Sequence, residues 1–360
     1  KKRTAKQIAR EIDSIGGQIN AFTTREYTCY YTKTLDEHTE IALDVLSDML
    51  FSSKLDEDDI KLERGVIIEE INMYDDEPEE VVQDLIMEAA YGDTPMGRTI
   101  LGTKESLEKI NSENMRSYLK NHYTTKNTVI SVSGNFDDTL FLLLEKYFAK
   151  SDMKTNDILI SDVEFQTGRN IVRKKDSEQI QLILGFEGID VHDDLVYSLL
   201  AFNNIFGGTM SSRLFQNIRE KRGLAYSVYA YHQAYIKTGI FNISAGFAPK
   251  NLEVVCDLIS KEINRIKKEN LSKEELKMAK EQLKGNYILS YESIGARMQA
   301  AGRNLLLNKP IISSDEVLDK INKVSTDSIA ELIEKILNKD KMCVAAVGAL
   351  DSADNLFDLY

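Results

Sequence analysis

Two glutamates, Glu63 and Glu70, share one side of a predicted helix over the segment ERGVIIEEINMY. With a helical repeat of about 100° per residue, they fall on the same stripe as Val66, Ile67 and Tyr74. A carboxylate buried without a partner costs considerable free energy, so each glutamate should have a cationic partner, a hydrogen-bond network or a metal. The stripe alone leaves two interpretations open: salt-bridged carboxylates at a domain interface, or a metal ligand supported by a second carboxylate.

Residues that commonly bind zinc are otherwise scattered along the chain. None of the four histidines lies four residues from another, the spacing that would place two on one helical face. The three cysteines are far apart and odd in number, and no C-x-x-C pair occurs, so neither a disulfide framework nor a thiolate zinc site is predicted. The sequence therefore contains no complete zinc site. Its cysteine usage is typical of a reducing compartment, so we expect a cytoplasmic protein.

Length and charge exclude several classes of protein. The 360 residues are enough for two domains with separate cores, and 42% apolar with 29% charged residues is an ordinary globular composition. The formal net charge of −13 argues against binding to nucleic acid, which usually requires a basic face. Because there is no run of 18 or more apolar residues, we predict no membrane-spanning segment.

The two halves of the chain resemble each other. Three pairs of segments match in the same order, at offsets between 209 and 216 residues. The pairs are KKRTAKQIAREI with MSSRLFQNIREK, KLDEDDIKLERGVIIEEI with NLSKEELKMAKEQLKGNYI, and TVISVSGNFDD with MCVAAVGALDS. These matches indicate an internal duplication. In the second pair the counterpart of Glu70 is Asn286, which has no charge.

Each copy combines several helices with a few separated strands. Strand-like stretches occur at 18–32, 127–134, 170–187, 225–247 and 341–348. Strict βαβ alternation is missing, so we predict an α+β fold with two homologous α/β sandwich domains, each an antiparallel-rich sheet with helices packed on it.

The domain boundary is predicted in a polar, weakly patterned stretch. That stretch covers residues 151–170, which gives domains at 1–155 and 165–360. The first copy has no counterpart to the strands at 170–187 or to the segment VYSLLAFNNIFGGT. We therefore expect about forty residues of the first copy to precede Lys1, so that this domain is truncated at its start.

Several segments together closely resemble the pitrilysin/insulinase-type zinc peptidases. These segments are KKRTAKQIAREIDSIGGQINAFTTREYTCYY, ERGVIIEEINMYDDEPEE, PMGRTILGTKESL, NHYTTKNTVISVSGNFD and GGTMSSRLFQNIREKRGLAYSVYA. This is the family with the inverted H-x-x-E-H motif. The resemblance covers essentially the whole chain and is to the bacterial two-domain branch related to the mitochondrial processing peptidase.

The resemblance implies a metal site that this chain only partly contains. In the family, the H-x-x-E-H helix supplies two histidine ligands and a general-base glutamate, and it would precede Lys1. A glutamate on a later helix is the third zinc ligand and matches Glu70. A second glutamate on that helix supports the site and matches Glu63. Zinc is therefore the implied cofactor, with an incomplete site here.

The resemblance also implies two groups of substrate-binding residues. An arginine and a tyrosine seven residues apart in IREKRGLAY match Arg219 and Tyr226, which would donate hydrogen bonds to the substrate. The segment GGQINAFT resembles the family's edge strand, where an extended substrate adds by β-augmentation. Asn20 and Ala21 occupy the matching positions in that strand.

These residues imply a zinc-dependent endopeptidase that acts on peptides or on unfolded, presequence-like segments. It would work as a homodimer or with a homologous subunit. A chain without two ligands and the base would be inactive by itself. One alternative is a non-catalytic peptide-binding or scaffolding subunit that partners an active homologous peptidase, and another is a two-domain binding protein with no peptidase role. Retention of Glu63, Glu70, Arg219 and Tyr226 favours the enzyme.

Overall fold

The computed structural model describes residues 3–149, 160–269 and 271–352, which form a mixed helix and sheet structure. The helices are α1 (Ala5–Ser14), α2 (Thr39–Ser52), α3 (Glu57–Asp76), α4 (Pro78–Tyr91), α5 (Lys104–Glu108), α6 (Ser112–His122), α7 (Thr139–Phe148), α8 (Val196–Phe206), α9 (Leu252–Lys268), α10 (Lys273–Tyr291), α11 (Ile294–Leu306), α12 (Ser314–Lys323) and α13 (Thr326–Ile336). The strands are β1 (Gln18–Thr23), β2 (Thr28–Lys33), β3 (Asn170–Lys174), β4 (Ile180–Glu187), β5 (Ser227–Ala234), β6 (Gly239–Phe247) and β7 (Met342–Gly348). No helix in these ranges has the length and apolar character needed to cross a membrane.

The described residues divide into two compact units. The first unit contains residues 3–69, 100–149 and 290–310, and the second contains the remainder. Of the boundary predicted between residues 155 and 165, the part at 155–159 lies outside the described residues. Helix α3 contributes Glu63 to the first unit and Glu70 to the second.

The second unit is built on a five-stranded sheet in the order β3-β7-β4-β6-β5. The β3–β7 pair is parallel and the other pairs are antiparallel, as expected from the sequence. Strand β6 is buried along its whole length, and β4 is buried along all but its last residue. Such continuous burial requires helices on both faces of the sheet.

Both faces of this sheet are covered by apolar helix surfaces. On one face the rings of Phe202 and Phe206 of α8 pack against Phe241 of β6, with centroids 5.4 and 6.4 Å away. On the other face α4 packs on β4 and β7. Gly185 lies beneath Ile86 of α4, where a Cβ would come within 3.0 Å of the isoleucine side chain. The close packing of α4 on the sheet therefore depends on a residue without a side chain.

The first unit contains a β1–β2 hairpin packed with α1, α2 and α7. The guanidinium of Arg3 donates to Glu11 and to Asp44 of α2, at 2.5 and 2.6 Å, and lies 3.6 Å from Asp48. These hydrogen bonds raise the pKa of Arg3. The residues before α1 are thereby fixed to α2 by a largely buried charge network.

The strand predicted at 127–134 is wrong for the described structure. No strand is assigned there, and Ile130 is 43% exposed. A strand persists only where a neighbour satisfies its backbone groups. In the described part of the first unit the sheet consists of β1 and β2 alone. The repeat counterpart of the stretch at 127–134 does form a strand, β7, because β3 and β4 pair with it on both sides.

Candidate functional site

Glu63 and Glu70 lie within α3, as the periodicity predicts, but their stripe is not buried. Both glutamates are exposed, and the exposed fractions of Val66 and Tyr74 are 53% and 41%. No hydrogen bond or ion pair joins either carboxylate to another side chain in the part of the chain that the structure describes. The expectation of buried carboxylates is therefore wrong, and the salt-bridge interpretation has no partner residue here.

The described residues do not fit a zinc ion. Among them, no group of three or more histidine, cysteine, aspartate or glutamate side chains is placed to hold a metal. Protein zinc sites need three or four such ligands. Glu70 could supply one carboxylate oxygen, and a single exposed carboxylate does not hold zinc usefully.

The end of α3 is fixed within the second unit by two basic residues of the sheet region. Arg173 of β3 donates to the carboxylate of Asp75 at 3.0 Å. The ammonium of Lys175 donates to the backbone carbonyls of Asp75 and Asp76 at 2.9 and 2.8 Å. Cations at a helix C-terminus satisfy its last carbonyls and stabilise the helix dipole. These contacts fix the last turn of α3, which follows the turn that carries Glu70.

Arg219 and Tyr226 lie side by side at the surface of the second unit. Arg219 belongs to a π-helical turn, Phe215–Glu220, and Tyr226 directly precedes β5. The guanidinium carbon lies 4.9 Å from the centroid of the Phe215 ring and 5.7 Å from that of the Tyr226 ring. Arg219 is exposed and Tyr226 is 71% exposed, so their hydrogen-bond donors face solvent.

The other side of this π-helical turn is held by charged residues. The amide of Asn217 donates to Glu262 of α9 at 2.7 Å. Arg213 donates to both carboxylate oxygens of Glu275, at 2.9 and 3.1 Å, and Glu275 also accepts from the backbone N–H of Ser272 at 3.0 Å. A polar cavity of about 370 Å³ lies here, lined by Ser211, Arg213, Gln216, Asn217, Lys221, Arg265, Glu269, Ser272 and Glu275.

Two carboxylates near this cavity, the buried Glu262 and the half-buried Glu275, have pKa values shifted in opposite directions. Burial raises the pKa of Glu262, although nearby arginines act against the increase. Burial would also raise the pKa of Glu275, but the hydrogen bonds from Arg213 and Ser272 lower it below its usual value. Our sequence analysis missed Glu262. The signal was available, because Val255, Ile259 and Glu262 share the apolar stripe of α9.

Asn20 and Ala21 lie at the middle of β1, whose outer edge has no partner strand in the described ranges. The N–H of Thr24 donates to the carbonyl of Tyr27 at 2.8 Å, closing the hairpin. Hydrogen-bonded pairs alternate from that point, so the N–H of Ala21 points away from β2. It donates instead to the side-chain oxygen of Asn20, at 2.8 Å.

The repeat counterpart of this edge is closed. Ala230 of β5 corresponds to Ala21 at an offset of 209 residues, and its N–H donates to the carbonyl of Gly207 at 3.1 Å. A Cβ on Gly207 would lie 2.5 Å from that nitrogen, so only glycine permits this approach. In the second unit this backbone N–H is therefore already bonded to a backbone carbonyl. In β1 the matching N–H is bonded to a side chain, which can move away.

Comparison with known proteins decides the family. Residues 1–104 match the family model Insulinase (Peptidase family M16), and residues 109–283 match Peptidase M16 inactive domain. An uncharacterised zinc protease of Bacillus subtilis is 41% identical over 338 residues, covering 94% of this chain and 82% of the relative. The chain belongs to the insulinase family of peptidases. The resemblance stated from its motifs is confirmed.

Other relatives of this insulinase-family chain agree. Uncharacterised zinc proteases of Streptomyces coelicolor and Rickettsia felis are 33% and 36% identical, over 97% and 93% of this chain and 78% and 81% of theirs. A protease from Helicobacter pylori superposes with a TM-score of 0.90 at 20% identity, and a peptidase M16 inactive domain from Pseudomonas fluorescens with 0.87 at 18%. Each structure covers 97% of this chain, which covers 85% of each. These structures confirm the α+β fold.

Proposed function

We propose that the protein is a zinc-dependent endopeptidase that cleaves peptides or unfolded, presequence-like segments. Family membership, with 41% identity to a zinc protease, carries this proposal. Glu70 supplies one zinc ligand, and Glu63, on the same helix, supports it. Both are free of ion pairs within the described residues, which leaves them available for these roles.

The remaining zinc ligands are expected from an H-x-x-E-H helix in the full-length protein. The described residues offer Glu70 as a single candidate ligand, so this chain by itself should be inactive. When bound, the metal would polarise the scissile carbonyl and a water molecule.

The residues of this chain would bind and orient the substrate. An extended peptide would pair with the outer edge of β1, where the N–H of Ala21 can exchange its bond to Asn20 for one to a substrate carbonyl. Main-chain pairing of this kind requires an extended segment, which explains a preference for unfolded substrates. Arg219 and Tyr226 would donate to other substrate carbonyls or to the developing oxyanion.

The organisation of the molecule follows the duplication. We propose homologous domains at 1–155 and 165–360, with the second contributing Arg219 and Tyr226. The active assembly would be a homodimer or a heterodimer with a homologous subunit. The free cysteines Cys29, Cys256 and Cys343 support a location in the reducing cytoplasm.

The test uses the full-length protein and a fluorogenic, unstructured peptide. Cleavage should occur, should be abolished by a strong chelator and should be restored by zinc but not by magnesium. A stably folded protein offered as substrate should not be cleaved. Tight binding without metal-dependent cleavage would favour the non-catalytic subunit, and absence of both binding and cleavage would contradict the proposal.

A further inference from the structure

We propose that Glu262 is a positioning residue for the Arg219–Tyr226 pair and that it acts through Asn217. This inference rests on the proposed function, because it concerns the same substrate-binding pair. Glu262 itself touches neither of these side chains among the described contacts. Its effect would be to hold the π-helical turn in the geometry that presents Arg219 to the substrate.

Asn217 and Arg219 lie on opposite sides of the π-helical turn. Two residues along this wide helix correspond to roughly half a turn. Arg219 stacks on Phe215, four residues earlier, which marks the outer face of the turn. Asn217 points to the other side, where its amide reaches Glu262. A contact at Asn217 therefore fixes the rotation of the turn without occupying the outer face.

Asn217 is a junction of three hydrogen bonds. Its side-chain nitrogen donates to Glu262 at 2.7 Å, and its side-chain oxygen accepts from Lys221 at 3.3 Å. Its backbone carbonyl accepts from the guanidinium of Arg222 at 2.5 Å. Lys221 also closes the turn, because its backbone N–H donates to the carbonyl of Gln216, five residues earlier, at 3.1 Å.

A π-helical turn needs such support. Turns of this kind are rare and often occur at functional sites, and the neighbouring α-helical register competes with them. Conversion to that register would remove the extra residue in the turn and rotate Arg219 away from Tyr226. Glu262 opposes this change from α9, a separate helix with the buried residues Ile259 and Ile263 on either side of it.

Packing alone does not explain a carboxylate at this position. Glu262 is 8% exposed, and its Oε2 atom has no hydrogen-bond partner in the described part of the chain. An apolar side chain would avoid the desolvation cost of a buried carboxylate. The charges of Arg265, Arg213 and Arg222 favour the ionised carboxylate, and within the described ranges its direct hydrogen bond is to Asn217, the residue that anchors the turn.

The experiment is a double-mutant cycle on kcat/KM for an unstructured peptide, measured with the full-length protein. Glu262→Ala should lower kcat/KM about tenfold in the wild-type background and have little effect when Arg219 is already alanine. Glu262→Gln keeps an oxygen that can accept from Asn217 and should restore most of the activity. Glu269→Ala is the matched control, because Glu269 lies on the same cavity in an exposed ion pair with Arg265.

An equal loss in both backgrounds would show a general structural role and overturn the inference. Hydrogen exchange provides a measurement that does not depend on cleavage. In Glu262→Ala, amides at 215–224 should exchange at least about tenfold faster, while those of β6 remain protected. Unchanged exchange at 215–224 would overturn the inference even in a protein that cleaves no peptide. Absence of peptide cleavage by the wild-type protein would instead contradict the proposed function.

Discussion

Glu262 shows what a buried charge does at the residue scale. Burial raises the pKa of its carboxyl group, although Arg265, Arg213 and Arg222 lie nearby. An acid whose pKa is higher in the folded state stabilises that state most below its unfolded pKa, and this contribution is lost as the pH rises through the folded value. Glu262 therefore favours folding in acid and opposes it near neutral pH.

We expect Glu262→Gln to increase the free energy of unfolding at pH 7. Glutamine resembles the protonated side chain, keeps the acceptor for Asn217 and carries no charge to desolvate. The advantage should shrink towards about pH 4, where the wild-type side chain is protonated. Chemical denaturation of both proteins across this pH range measures the difference.

Glu275 is the control, because its pKa is shifted in the opposite direction to that of Glu262. Burial acts to raise its pKa, but the hydrogen bonds from Arg213 and Ser272 dominate and lower it. Its contribution to stability is therefore present above the unfolded pKa and is lost as the pH falls through the folded value. Glu275→Gln should destabilise the protein at pH 7. If both substitutions shifted stability in the same direction at neutral pH, this account of the two carboxylates would be contradicted.

Helical periodicity in the sequence predicted which residues share a helix face, but it did not predict whether that face is buried. It placed Glu63 and Glu70 on one helix, and the structure confirms the helix, yet both side chains are exposed. A stripe of apolar residues shows which face could be buried, whereas burial depends on what packs against that face. The apolar stripe of α9 includes Glu262, which the sequence analysis missed, and the role proposed for it depends on a contact with Asn217 that helical spacing cannot predict.

At the scale of elements, the open edge of β1 differs from the closed edge of β5. Strand β1 presents Ala21 with a backbone donor held only by the neighbouring Asn20 side chain, whereas the matching donor of Ala230 is bonded to Gly207. Both strands follow from alternation and turn residues in the sequence. Which of the two edges is open could not be predicted, because the hydrogen bond between Ala230 and Gly207 joins segments that are distant in the sequence.

Ala21→Pro should weaken substrate binding by about tenfold in KM, the equivalent of one net hydrogen bond. Proline removes the outward N–H but leaves the β1–β2 hydrogen bonds intact, and edge strands tolerate it. The measurement is KM for the unstructured peptide in the full-length protein. Ala234→Pro, at the end of the other edge strand, is the matched control and should leave KM unchanged. An unchanged KM in Ala21→Pro would rule out pairing at this edge.

At the scale of the whole molecule, the sequence predicted the class of fold and the duplication, but not the membership of each compact unit. Residues 70–99 belong to the second unit because α4 presents Ile86 and small alanines to one face of the five-stranded sheet. The stretch at 127–134 has the same apolar pattern as β7 and forms no strand, since no described strand pairs with it. Pattern identifies a possible strand, and its neighbours decide whether the strand forms.

The proposed metal site also belongs to the scale of the whole molecule, because α3 would supply only one of its ligands. The most direct measurement is the zinc content of the purified full-length protein by mass spectrometry, in the wild type, Glu70→Gln and Glu69→Gln. Glu69 is an exposed neighbour on α3 and changes charge identically. We predict equimolar zinc in the wild type and in Glu69→Gln, and its loss in Glu70→Gln. Equal zinc content in all three proteins would contradict the assignment of Glu70 as a ligand.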